Sequence, residues 1–341
     1  MSTQRYKSLL LGTAALSVSA SIAAAEVPNV VTDIAPVASL AARVMDGLGT
    51  PQQIVQPGAS PHGYAMRPSE AEALSGADAI FWIGPELTPW LDRTIHTVAP
   101  NADVTELLHA PETFVLAFRS GASFAEEGEA HDGHEDHSEH VDEADENGHD
   151  HEHEADDTHE SDEGHAGHDH SGDDPHAWLD PENGKAWLGV IAGKLSQLDP
   201  ENAEVYAANA AEGRAEIDAA AAEVETLLAP VADARIVVFH DAYHYFEHRF
   251  DLHAVGAIAA SDASDPGPAR IEEVRGVIED MNVTCVLSEP AFNPAFVDTV
   301  TEGVSLRKGV IDPLGADLEP GPQFYPELIR DVARRLAACA G

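Results

Sequence analysis

Positive charge is scarce in this chain: 18 Lys and Arg stand against 61 Asp and Glu in 341 residues, a formal net charge of -43. Such a surface cannot neutralise phosphates or release their counterions, which excludes nucleic acid as a partner and suits cations instead. Cysteine is scarcer still, limited to Cys285 and Cys339. Beyond the N-terminal residues no apolar run approaches the roughly 18 residues a membrane-spanning helix needs, so the mature chain is expected to be soluble. H-E-x-x-H and G-x-S-x-G are both missing, which removes two familiar hydrolase signatures.

What is present is ample material for a core. An apolar content of 43% over this length supports one large or two ordinary domains. Residues 1–25 read as a secretory signal, with Arg5 and Lys7, an apolar stretch from Leu9 to Val18, and the small run Ala23-Ala24-Ala25 as a cleavage site. Export to an oxidising compartment favours a Cys285–Cys339 bridge over two unpaired buried thiols.

The negative charge is concentrated. From Ala125 to Asp174 the chain carries 22 Asp and Glu and 11 of its 19 His, and no Lys or Arg occurs between Arg119 and Lys185. With almost nothing apolar to bury, residues 125–172 cannot offset the entropy of ordering themselves and are expected to form a disordered loop. The composition points to metal, because imidazole suits zinc, copper and nickel and carboxylates attract any cation. The candidate loop ligands are His131, His134, His137, His140, His149, His151, His153, His159, His165, His168 and His170. A solvated acidic linker is the alternative.

On either side of that loop, strand-like and helical patterns alternate, as expected of parallel sheets covered by helices. The first set comprises Val27–Thr32, Pro36–Leu48, Gln53–Val55, Pro68–Gly76 and Ala79–Ile83. The second comprises strands at Arg235–Phe239, Leu252–Ile258, Thr284–Ser288 and Leu306–Ile311, with helices from Asp241, over Pro268–Met281, from Asn293, and over Phe324–Ala338. Between them, Pro181–Leu198 and Glu201–Leu228 are Ala-rich helical stretches, the second roughly 42 Å long at 1.5 Å per residue, with Asp199 as its cap. The expected fold is therefore α/β, with an N-terminal lobe over 26–180, a helical spine over 181–229 and a C-terminal lobe over 230–341.

In open parallel sheets, ligands bind beyond the carboxyl ends of strands. His62 in GASPHGYAMRP, His240 directly after Ile236-Val237-Val238-Phe239, and Asp312 directly after Gly309-Val310-Ile311 meet that rule, and His176 lies in the Pro-bounded turn DPHAWLDP. Any one of these is more often structural than ligating. Together they make a nitrogen and oxygen set of borderline character, suited to tetrahedral zinc, with manganese favoured if carboxylates dominate.

These words, GASPHGYAMRPSE, DPHAWLDP, VVFHDAYHYFE and IDPLG, resemble those of the periplasmic zinc-binding receptors of ABC zinc importers, the ZnuA type. The resemblance spans nearly the whole mature chain, including the acidic histidine-rich loop and the two cysteines. It implies two lobes joined by one long rigid helix, Zn2+ in the cleft between them, a membrane ABC permease as partner, and a monomer in the periplasm. His62, His176 and His240 correspond to the zinc ligands, and Asp312 to the position where manganese-type relatives supply a carboxylate. Pro61 stands where some zinc receptors have a glutamate, leaving the fourth ligand to Asp312 or, by preference, water. His244 is either an auxiliary ligand or, the favoured alternative, an exposed helix residue. Glu289 is equally an imidazole partner or an ordinary loop carboxylate, whereas Trp178, Phe239, Tyr243 and Phe246 wall the cleft or fill the core. Two other functions are open: a secreted zinc-dependent hydrolase using His62, His176 and His240, and a periplasmic metal buffer acting mainly through the loop.

Overall fold

A computed structural model describes residues 27–119, 121–124, 172–260 and 265–341. Residues 1–25, expected as a secretory signal, and residues 125–171 of the expected loop, with all eleven of its histidines, lie outside the described residues.

Two four-stranded sheets form, each wholly parallel and each with the same winding. The first pairs β1 (Val30–Thr32), β2 (Gln52–Gln53), β3 (Ala79–Trp82) and β4 (Asp103–Glu106) in the order β2-β1-β3-β4. The second pairs β5 (Ile236–Val238), β6 (Ala254–Ala257), β7 (Cys285–Ser288) and β8 (Arg307–Val310) in the order β6-β5-β7-β8. In both sheets the chain leaves the first strand toward one edge and returns toward the other. The strand order therefore reverses between β1 and β3, and again between β5 and β7, and crevices open at the carboxyl ends of those pairs.

In the first lobe, α1 (Ala35–Val44), α2 (Pro68–Ser75) and α3 (Pro89–Val98) cover the sheet. In the second, α6 (His244–Phe250), α7 (Pro268–Asp280), α8 (Ala295–Val300) and α9 (Phe324–Ala340) do so. Between them, α4 (Pro181–Leu198) has Pro181 at its first position and Asp180 as its cap, whose carboxylate accepts the Glu182 N–H at 2.9 Å. The 26-residue α5 (Ala203–Leu228) is the spine, about 39 Å long at 1.5 Å per residue. It packs on α1 of the first lobe, on α4, and on α9 of the second, through a stripe of small and apolar residues that includes Ala210, Gly213, Ile217, Ala220 and Val224. One continuous core runs from Val37 and Leu40 through Trp187 and Leu188 to Leu328 and Val332, so both lobes are fastened to one rigid helix.

Asp199 is not the backbone cap expected of α5. A single 3-10 turn over Pro200–Asn202 precedes that helix, and the Asp199 carboxylate accepts from the Asn202 side chain at 2.7 Å and the Tyr206 hydroxyl at 2.9 Å. The cysteines are bridged, with Cα atoms 5.6 Å apart, tying β7 to α9.

Candidate metal centre

The site grows from the crevice of the second sheet. His240 follows β5 and Glu289 follows β7, so the two residues straddle the point where the strand order reverses. Their side chains meet there: His240 Nδ1 and Glu289 Oε1 are 2.8 Å apart, both buried. The opposite wall comes from the DPHAWLDP turn at the end of the first lobe. His176 caps the short 3-10 turn Ala177–Leu179, and its Nδ1 lies 2.7 Å from Asp174 Oδ1, which also accepts the His176 backbone N–H at 3.0 Å. Asp174 is fully buried.

A carboxylate can only accept, so each Nδ1 carries the proton, and in the neutral ring that a metal requires the lone pair then lies on Nε2. Such pairing fixes the tautomer and ring orientation and raises the basicity of the other ring nitrogen, as metal-ligating histidines require. Asp174, the partner of His176, is not among the residues that the motifs single out. Its signal lies in the words themselves, because an Asp two residues before a His, with Pro between, closes an Asx turn onto that imidazole.

The ring centres of His176 and His240 are 5.3 Å apart, and those of His62 and His176 are 6.1 Å apart. With Zn–N near 2.0–2.1 Å and the ring centre roughly 1.1 Å beyond the nitrogen, tetrahedral angles set neighbouring ring centres about 5.2 Å apart. The buried pair already has that separation. His62, half-buried at the rim, stands about 1 Å too far out. Accordingly, among the described residues no three His, Cys, Asp or Glu side chains converge on a common point as they stand. The His62 loop is itself held: Trp90 Nε1 donates to the Pro61 carbonyl at 2.7 Å, and Tyr64 donates to Glu70 at 2.8 Å, whose other oxygen accepts the N–H of Arg67, the residue before α2.

Asp312 lines the same cleft but is already engaged. One oxygen accepts the Leu314 N–H at 2.9 Å and the other the Ala316 N–H at 2.7 Å, closing the IDPLG turn. Trp178 reaches across to donate to the Pro313 carbonyl at 2.8 Å, locking the His176 turn against that loop. Trp178 and Phe292 pack their rings against His176 and His240 at 5.2 and 5.6 Å, giving the imidazoles an apolar, water-excluding surround. Phe239, Tyr243 and Phe246 are core residues, as expected. Burial, and after it the nearby Glu289 and Asp312 charges, pushes the Tyr243 hydroxyl well above its ordinary range, a sign of the negative field behind the cleft.

His244 lies elsewhere. Helix α6 begins at His244 rather than at Asp241, so His240 precedes the helix and shares no helical face with it. His244 lines a separate hollow with Arg119, Glu247 and His248, and its Nδ1 is 3.9 Å from Asp174 Oδ2. His248 stacks on Phe114 with ring centres 4.8 Å apart.

Comparison with known proteins agrees with this architecture. Residues 30–339 match the family model described as "ZnuA: Zinc-uptake complex component A periplasmic". The "High-affinity zinc uptake system protein ZnuA" of Brucella abortus is 43% identical over 93% of this chain and 92% of its own. The protein of the same description from Paracoccus denitrificans is 42% identical over 99% of both chains. Among solved structures, one described as "Crystal structure of ZnuA" superposes with a TM-score of 0.68 at 21% identity, covering 92% of this chain and 99% of that one. By a family match over almost its whole length and by relatives above 40% identity, the chain belongs to the ZnuA family.

Proposed function

We propose that this protein is the zinc-capturing receptor of an ABC importer, binding Zn2+ in the periplasm and handing it to a membrane permease. The observation that carries the reading is the pair of buried Nδ1–carboxylate contacts at 2.7 and 2.8 Å, one from each side of the cleft. With each Nδ1 so engaged, Nε2 is the ligating atom of each ring, the two ring centres, 5.3 Å apart, stand at tetrahedral spacing, and His62 completes the set by moving inward about 1 Å. Three neutral imidazoles are a borderline donor set, and zinc, with no geometric preference of its own, accepts the tetrahedral site they leave. The fourth position falls to water, since both Asp312 oxygens already serve backbone N–H groups. A carboxylate-rich set would favour manganese instead. Relatives described as high-affinity zinc uptake proteins support zinc as the cargo.

The same contacts support transport rather than catalysis. Glu289 and Asp174 are both committed to imidazoles, which leaves neither as a general base for a metal-bound water. The receptor acts as a monomer, exported by residues 1–25. The histidine-rich segment gathers zinc weakly and raises its concentration near the cleft.

The test is competitive zinc titration of the mature protein beside His62→Ala and His240→Ala. One tight equivalent in the parent, lost or strongly weakened in both variants, is the expected result. A tight site unaffected by either substitution overturns the reading, and steady ester or phosphoester turnover abolished by His176→Ala establishes the hydrolase in its place.

A further inference from the structure

The described flanks of the histidine-rich segment are wired to both cleft imidazoles. On the outgoing side, Phe124 N–H donates to the Val255 carbonyl at 3.1 Å and Ser123 bridges to Gly256, so this flank lies antiparallel along the edge of β6. Gly256 permits the approach, because a side chain there would collide with the Ala122 carbonyl. The two flanks also hold each other: Phe118 N–H donates to the Gly172 carbonyl at 3.0 Å and Asp174 N–H to the Leu116 carbonyl at 2.8 Å. Tyr245 clamps the pair from the second lobe, its hydroxyl accepting the Leu116 N–H at 2.9 Å and donating to the Asp174 carbonyl at 2.8 Å.

At the centre sits Arg119. Its side chain is 8% exposed, and it makes four hydrogen bonds to two carboxylates of the second lobe that are as deeply buried. Nε and Nη2 grip Asp241 as a fork, Nη1 and Nη2 reach Glu247 at 3.0 and 2.8 Å, and the guanidinium lies 4.0 Å over the Phe124 ring. Asp241 is the residue directly after His240, and Glu247 also accepts the Ala254 N–H at 2.8 Å. The stem thus fixes the backbone of His240 through Asp241, and fixes Asp174, whose carboxylate orients His176.

We propose that this stem is a positioning clamp for the metal cleft and that Arg119 is its positioning residue. The inference rests on His176 and His240 being zinc ligands. Arg119 touches no metal. It holds in register the two segments that carry the buried imidazoles, using a planar fork that serves two carboxylates at once and that a lysine cannot reproduce.

The experiment compares the full mature protein with Arg119→Met, Arg119→Lys and Gly256→Ala. Readouts are competitive zinc titration, the visible spectrum of the Co2+-loaded protein, and thermal unfolding. Loosening a group that orients a ligand costs about 10- to 100-fold in metal affinity, and Arg119, one step further out, is expected near the lower end for Arg119→Met. Its Co2+ bands shift as the coordination distorts, and Arg119→Lys recovers part of both effects. Gly256→Ala moves the stem while leaving every charge in place, and shifts affinity and spectrum in the same direction, which keeps the proposal testable if Arg119→Met fails to fold. Val224→Ala, in the spine helix, is the control: it lowers the melting temperature and leaves zinc affinity and the Co2+ spectrum as they were. Arg119→Lys and Gly256→Ala that melt earlier but keep parental affinity and spectrum reduce Arg119 to a structural ion pair and overturn the clamp. A parent that binds zinc without dependence on His176 or His240 overturns the underlying receptor reading instead.

Discussion

Replacing Glu289 with Gln isolates the contribution of one buried charge to zinc binding. Glu289 is 5% exposed and its Oε1 lies 2.8 Å from His240 Nδ1. Gln keeps the shape and can still present an oxygen to the ring, so the loss is the difference between a charge-assisted and a neutral hydrogen bond. With about 1.5–3 kcal/mol for the first and about 0.5–1.5 for the second, that difference is roughly 1–1.5 kcal/mol. At about 1.4 kcal/mol per decade, zinc affinity should fall about tenfold. Glu289→Ala removes the acceptor and leaves Nδ1 without a partner in an apolar surround, so its loss should approach the 100-fold end of the range for groups that orient a ligand. The assay is competition with a chelator of known affinity at fixed pH, alongside circular dichroism to verify the fold. Folded Gln and Ala variants that both match the parent would show that the carboxylate does not act through His240, and the argument from Nδ1 pairing would fail.

Removing residues 125–171, which spares the pairing at Gly172, should leave one tight zinc equivalent and abolish only weaker ones; calorimetry counts both classes. Protons compete with zinc for imidazole, so affinity should drop as pH falls below about 6.5, the ordinary histidine value, and unchanged affinity at pH 5 would contradict a three-imidazole site. Burial pushes the Asp33 carboxyl up to about 7, against the opposing pull of N–H bonds from Ile83 and Ile34. The folded state therefore holds this proton between its unfolded value and about pH 7, and the associated stability declines as pH rises through that window. The stability deficit of Asp33→Asn relative to the parent should accordingly shrink between pH 5 and pH 8, by no more than about 3 kcal/mol, in urea unfolding. Replacing Cys285 and Cys339 by Ser opens a bridge spanning 54 residues and should cost up to about 4 kcal/mol of stability in the same assay.

Much of this was legible in the sequence because the signals were apolar and periodic. The four strands of the second lobe and the helices at Pro181–Leu198 and from Pro268 appear within a residue or two of their expected ends. The elements left unread are α3 and β4, and the reason is compositional. β4, with the sequence Asp-Val-Thr-Glu, lies at the sheet edge with Val104 38% exposed and carries no hydrophobic pattern, whereas α3 is short and its apolar face, Leu91, Ile95 and Val98 at helical spacing, is interrupted by Asp92, Arg93 and His96. His62, His176 and His240 stood out because their words place them at strand ends and in a Pro-bounded turn, and their rings do come near one another. The partners that orient them were harder to see. Glu289 is 49 residues from His240, and Arg119 is 122 from Asp241; only the parallel winding of the sheet and the docking of the stem on β6 bring them together.

The most direct test is a crystal structure of the zinc-loaded protein. The account predicts one ion bound by Nε2 of His62, His176 and His240 at about 2.0–2.1 Å, with a water at the fourth corner and both Nδ1–carboxylate contacts intact. Zinc bound through Nδ1, or held away from His176 and His240 altogether, would contradict it.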